Sequence, residues 1–131
     1  MNFIHKDRVS NLFVGVNEAV SPGNLSELEK KHLPHIEAPE NVALKACFPV
    51  TVEVGKLLAH PNERNHFIQH IELYADDTFL ARVDFTSVKM SPRVTFNVLL
   101  EDPAVELRAY EHCNMHGTWM TRKPIHVGDG S

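Results

Sequence analysis

Near the end of the chain, Cys113 and His116 stand three positions apart in Glu111-His112-Cys113-Asn114-Met115-His116-Gly117. Thiolates and imidazoles are the usual protein ligands of zinc, copper and iron, and this spacing lets one loop offer both to one ion. Such a pair is half a site. Two upstream stretches can supply the rest: Lys30-Lys31-His32-Leu33-Pro34, and His60-Pro61-Asn62 leading to His66. Each spacing alone is weak, since a buried cysteine beside a surface histidine accounts for it equally well. Together they offer His32, His60, His66, His116 and Cys113, one donor more than a closed tetrahedral zinc site uses. Nine histidines among 131 residues are the compositional oddity that prompts the search.

Composition narrows the setting. With 43% apolar and 23% charged residues, 131 residues form one domain with a real core. The net charge of −4 and the lack of a long basic run argue against nucleic acid as a partner. No apolar run approaches the ~18 residues of a membrane span. The start, Met1-Asn2-Phe3-Ile4-His5-Lys6, lacks a signal-peptide layout, so the expected location is the cytoplasm, with Cys47 and Cys113 reduced.

The elements that must position these donors read as strands. Residues 1–28 form an N-terminal arm and loop that packs on the domain or on a neighbouring subunit, residues 29–127 the β-sandwich, and residues 128–131 a frayed tail. Ser26 and Glu29 have capping-box spacing, so a short helix starts there and stops before Pro34. From Val42 onward apolar and polar residues alternate. Val42, Leu44, Ala46 and Phe48 share one face, and Pro49 then breaks the run, hinting at a bulge or an edge strand. Phe67–Tyr74 and Phe79–Phe85 read as a hairpin around Asp76-Asp77, Val94–Leu100 as a further strand, and Val105–Ala109 as one leading into Cys113. Cys47 falls in a strand pattern and reads as a small core residue. About seven strands with almost no helix predict an all-β, antiparallel Greek-key sandwich of immunoglobulin-like type.

Three motifs now combine. Lys31-His32-Leu33-Pro34, then His60-Pro61-Asn62 with His66, Ile68 and Ile71-Glu72-Leu73-Tyr74, then Cys113-Asn114 with His116-Gly117 and Trp119, resemble the three signatures of superoxide reductase over residues 29–120. The four-cysteine N-terminal iron domain of desulfoferrodoxins has no counterpart here, so the chain resembles the one-iron, neelaredoxin-type form. The resemblance implies one Fe(II)/Fe(III) ion per chain, with His32, His60, His66 and His116 as equatorial ligands and Cys113 as the axial thiolate. It also implies reduction of superoxide to hydrogen peroxide, Lys31 as the superoxide-guiding lysine, a small redox protein such as rubredoxin as donor, and a homotetramer, although an edge strand or the N-terminal arm could equally make a dimer. Family members usually carry a glutamate two residues before the first histidine, where it closes the sixth site of ferric iron. This sequence has Lys30 there; Glu29, one position further off, is a secondary candidate that competes with its own capping role.

Two other readings use the same residues. A blue-copper electron carrier is also a Greek-key sandwich, and Cys113, His116 and Met120 could supply three of its donors. A non-catalytic binding or sulfur-carrier sandwich would leave its histidines on the surface and hold no stoichiometric metal.

Overall fold

A computed structural model of the chain describes residues 11–128. The expected arm over residues 1–10 and tail over 129–131 lie outside them.

The larger sheet has five strands in the order β1 (Val16–Asn17), β9 (Gly117–Pro124), β8 (Glu106–Cys113), β5 (Ile68–Ala75), β6 (Thr78–Asp84). A smaller sheet has the order β2 (Pro34–Glu37), β4 (Phe48–Val54), β7 (Arg93–Val98). A parallel pair of β3 (Asn41–Ala43) and β10 (His126–Gly128) lies apart from both. The chain crosses to β7 after the β5–β6 hairpin and returns as β8 beside β5, the crossover of a Greek key. The antiparallel β-sandwich expected from alternation is therefore the fold.

Its core is what period-two patterning dictates. Phe48, Val50, Val52 and Val54 of β4 share one face and are 6%, 0%, 0% and 4% exposed, packed in one cluster with Ile71, Leu73, Leu107 and Ala109 of the larger sheet. Each such side chain contributes about 1.5–3 kcal/mol on leaving water.

Four departures from simple alternation have local causes. Residues 44–47 do not extend a strand: Lys45 takes φ 60° and donates its N–H to Leu100 O at 2.8 Å, and the turn leaves Cys47 exposed rather than in the core. Pro49 lies within β4, the central strand of its sheet. Val54 N–H points to the β7 side, so Pro49, of opposite parity, points its nitrogen to the β2 side, where pairing ends at Thr51 and no ladder bond is lost. A register shift between Leu73 and Tyr74 turns Phe79 outward, 52% exposed, and another between Ile68 and His70 lets Ile68 and Ile71 both face inward. Gly128, expected to begin the tail, pairs with Ala43 in β10.

The capping box forms as its spacing predicts. Helix α1 (Glu27–His32) begins at Ser26, whose hydroxyl accepts from Glu29 N while the Glu29 carboxylate accepts from Ser26 N. It ends at Leu33, already extended before Pro34, so His32 sits on the last helical residue.

Candidate metal centre

Five side chains from three regions converge at one end of the sandwich. The candidate ligand atoms of His32, His60, His66, Cys113 and His116 all lie within 4.8 Å of one another. His32 comes from the end of α1, His60 and His66 from the segment between β4 and β5, Cys113 from the end of β8, and His116 from the turn before β9.

The imidazoles form a closed cycle. His32 neighbours His60 at a ring-centroid distance of 4.7 Å, His60 neighbours His66 at 4.8 Å, His66 neighbours His116 at 5.1 Å, and His116 neighbours His32 at 4.8 Å. Each ring is steeply inclined to the next. Cys113, 0% exposed, lies on the inner face of β8 against this cycle, with its sulfur 3.3 Å from His60 Nε2 and 3.8 Å from His116 Nδ1. Of the four histidines His32 is buried, at 1% exposed, whereas His60, His66 and His116 are part-exposed, so the cycle reaches solvent along their side.

Hydrogen bonds select the ligand atom of each ring. His32 Nδ1 donates to Leu28 O at 2.8 Å and His60 Nδ1 donates to Pro61 O at 2.6 Å, which leaves Nε2 of each as the lone-pair nitrogen. Those two Nε2 atoms are 3.2 Å apart. His66 Nε2 is buried with no hydrogen-bond partner among the described residues, and His116 turns Nδ1 toward the sulfur. Metal bonds of ~2.0–2.3 Å place neighbouring donors about 3 Å apart and opposite ones about 4–4.5 Å apart. The cluster fits one transition-metal ion.

Electrostatics prepares the same set. Desolvation lowers both His32 and His60 to about 4, helped by the neighbouring imidazoles, so both are neutral and able to coordinate at physiological pH. Burial raises the Cys113 thiol, against which the backbone N–H groups of Met115 and His116 point at the sulfur and favour its charged form. A cation bound at the cycle would complete the ionisation. Lys31, next in sequence to His32, is among the charges that hold His60 and His116 down.

The other candidates fall elsewhere. The Glu29 carboxylate, 7% exposed, accepts from the backbone N–H of Ser26 and Val20, each at 2.8 Å, and is not among the clustered donors. Lys30 is exposed. Met120 pairs with Tyr110, whereas Cys113 pairs with Gly117 three residues earlier. By strand parity Met120 is therefore on the outer face of the sheet and the sulfur on the inner, which removes a donor from the copper reading. His70 and His112 stack on each other across β5 and β8 at 5.5 Å, also on the outer face, and His112 Nδ1 meets Thr118 Oγ1 at 2.8 Å.

Three features escaped the sequence reading. The Trp119 ring stacks on His32 at 5.1 Å, and its Nε1 donates to His116 O at 2.9 Å. Glu111 is 0% exposed, neither carboxylate oxygen is hydrogen-bonded among the described residues, and desolvation raises its pKa well above the carboxylate range. Its parity with Leu107, Ala109 and Cys113 was the available signal. Gly117 has φ 82°, and a Cβ there would lie 2.1 Å from Leu12 O, so the segment before β1 rests directly on the Cys113–His116 turn.

Comparison with known proteins agrees with this geometry. A family model described as Desulfoferrodoxin matches residues 24–122. The neelaredoxin of Megalodesulfovibrio gigas is 37% identical over 114 residues, covering 73% of this chain and 87% of the relative. The superoxide reductase of Pyrococcus furiosus is 33% identical over 108 residues, covering 69% and 84%. The solved superoxide reductase (neelaredoxin) from Ignicoccus hospitalis superposes with a TM-score of 0.74 at 36% identity, covering 86% of this chain and 95% of that one.

Proposed function

We propose how the residues of this chain, which belongs to the desulfoferrodoxin family, carry out the reaction of that family. The protein is a superoxide reductase: superoxide takes one electron and two protons and leaves as hydrogen peroxide. It binds one iron, which supplies the electron by passing from the ferrous to the ferric state when bound.

The ligands we assign are His32, His60, His66 and His116 through their convergent nitrogens and Cys113 through its thiolate. The closed cycle of four imidazoles with one buried sulfur against it carries this assignment. Four neutral rings and one thiolate would give a bound ferrous ion a net charge of +1, attractive to a small anion reaching the part-exposed side of the cycle. Lys31 draws superoxide to that side. The chain is −4 overall, but charges beyond a Debye length of ~8 Å are screened, so the local cation dominates. Protons come from solvent at the same mouth, while Trp119 and the core exclude water from the sulfur side. Glu29 serves as the cap of α1, bonded to two backbone amides, and the ferric state has no carboxylate ligand from it.

The electron donor is a small, acidic one-electron carrier of the rubredoxin kind. What supports it is the rim: Phe13, Val14, Leu57, Val88, Met90 and Met115, each about half exposed or more, sit on segments that bear or touch the ligands. Lys31, Lys56 and Lys89 on those segments are in no ion pair among the described residues. The working form is a homo-oligomer, a tetramer or a dimer, in the cytoplasm. Among the described residues no helix is long and apolar enough to cross a membrane.

The test is metal analysis with electron paramagnetic resonance on the purified protein, followed by superoxide consumption with a reductant present. One iron per chain and one peroxide per superoxide, without oxygen release, is expected. One equivalent of copper, no metal, or half an equivalent of peroxide with oxygen overturns the reading.

A further inference from the structure

The segment between β4 and β5, residues 55–67, has no strand of its own yet carries two of the five donors, His60 and His66. Loops of such length are costly to hold in one shape unless their backbone is tied at several points. Gly55 closes its start: a Cβ there would stand 2.8 Å from His60 N. A reciprocal pair of backbone bonds between Glu63 and His66 makes a tight turn in the middle. Neither tie reaches the Cys113–His116 turn.

Two asparagine amides make the remaining connections. Asn114 follows Cys113 directly. Its Oδ1 accepts from Phe67 N at 2.9 Å and its Nδ2 donates to Asn65 O at 2.8 Å, so one side chain grips the peptide units on both sides of His66. Its backbone N–H adds a bond to Phe67 O at 3.3 Å. Asn62 works at the other end. Its Oδ1 accepts from Val88 N at 2.7 Å and its Nδ2 donates to Met90 O at 3.0 Å, which fastens the His60-Pro61-Asn62 corner to the link between β6 and β7. There Val88 takes φ 71°, a conformation a β-branched residue adopts only when its surroundings impose it.

From this geometry we infer that Asn114 is a positioning residue that fixes His66 relative to Cys113 and His116 before metal arrives, with Asn62 anchoring the His60 corner. The inference rests on the five-ligand reading above. A side-chain amide suits the task because it offers one donor and one acceptor in a plane, matching one carbonyl and one N–H flanking the same residue. Asn114→Asp keeps the acceptor for Phe67 N–H and sets a second oxygen against Asn65 O. Asn114→Ala removes both bonds.

The experiment uses the full chain stripped of metal and titrated with cobalt(II) against a chromophoric chelator, with thermal unfolding of the metal-free protein measured in parallel. For Asn114→Ala we expect cobalt affinity to fall about 10- to 100-fold, as loss of a ligand-orienting contact does. The thiolate-to-cobalt absorption band should shift, and metal-free melting should move by only a few degrees. Asn114→Asp should fall between Ala and the unsubstituted chain, and Asn62→Ala should weaken cobalt binding without shifting the band as far. Wild-type affinity and spectrum in Asn114→Ala overturn the proposal, as does a variant whose affinity loss is matched by collapse of the metal-free fold. Failure of the unsubstituted protein to bind one cobalt would instead sink the five-ligand reading itself.

Discussion

Replacing Gly117 by alanine, with Gly15→Ala as its control, measures how firmly the N-terminal segment rests on the metal-bearing turn. Both glycines have positive φ, 82° and 67°, so both substitutions carry the left-handed penalty of ~1–2 kcal/mol for an L side chain, reduced by ~0.4–1 kcal/mol from a stiffer unfolded chain. Among the described residues nothing lies within 4 Å of the would-be Cβ of Gly15, so its cost ends there, near 1 kcal/mol. At Gly117 the added carbon would stand 2.1 Å from Leu12 O and 2.8 Å from Leu12 C, and backbone must move. The carbonyl that moves accepts from Asn17 Nδ2 at 2.7 Å, and Asn17 is 2% exposed. Losing that bond costs about 1 kcal/mol, and a buried amide left partly unsatisfied about 1 more. Gly117→Ala should therefore cost about 3 kcal/mol against about 1 for Gly15→Ala. At ~3–4 °C per kcal/mol for a chain of this size, the melting temperatures should fall by about 10 °C and 3 °C. Denaturant midpoints and melting of the metal-free protein give the comparison, and iron content of the loaded protein should drop only in Gly117→Ala. Equal destabilisation of the two variants would refute the packing of residues 12–13 on the turn.

Further outcomes follow from the same geometry. Lys31→Ala should lower the second-order rate with superoxide about three- to tenfold and flatten its dependence on ionic strength, while Lys31→Arg keeps both, as read by pulse radiolysis. Cys47, exposed, should react quickly with a thiol reagent while iron is retained, and Cys47→Ser should load normally; Cys113→Ser should lose the thiolate charge-transfer band. The metal-free protein has opposing pH slopes. Folded His32 and His60 are lowered to about 4, so the unfolded chain binds more protons below 6.5, and stability is lost as pH falls from 6.5 toward 4. Folded Glu111 is raised, so the unfolded chain releases its proton first and stability is lost as pH rises above about 4.5. Glu111→Gln should abolish the second slope in melting curves and leave the first.

Much of the fold was legible because strand alternation is a local property. Val50, Val52 and Val54 face inward as their spacing requires, and Ser26 with Glu29 forms the cap that its three-residue interval specifies. Errors arose where one residue changed the phase. Leu44 and Ala46 fell in a turn fixed by the left-handed Lys45, and Phe79 was turned outward by a bulge. Neither event leaves a mark in hydropathy. Cys47 was misplaced for the same reason, since its side was inferred from a strand that ends before it.

The sequence alone determined which donors exist and that each lies at the end of a regular element or in a loop between two, because residue type and short-range spacing are covalent facts. The burial of Cys113 matches its parity with Leu107 and Ala109 on β8, the same local signal that Glu111 carries. Only the tertiary structure decided the cyclic order of His32, His60, His66 and His116, which nitrogen of each ring faces the metal, and that Met120 lies on the other side of the sheet. Those features depend on strand register and on hydrogen bonds between segments as far apart as Phe67 and Asn114. Such contacts are fixed by how the two sheets pack, and no local spacing encodes them.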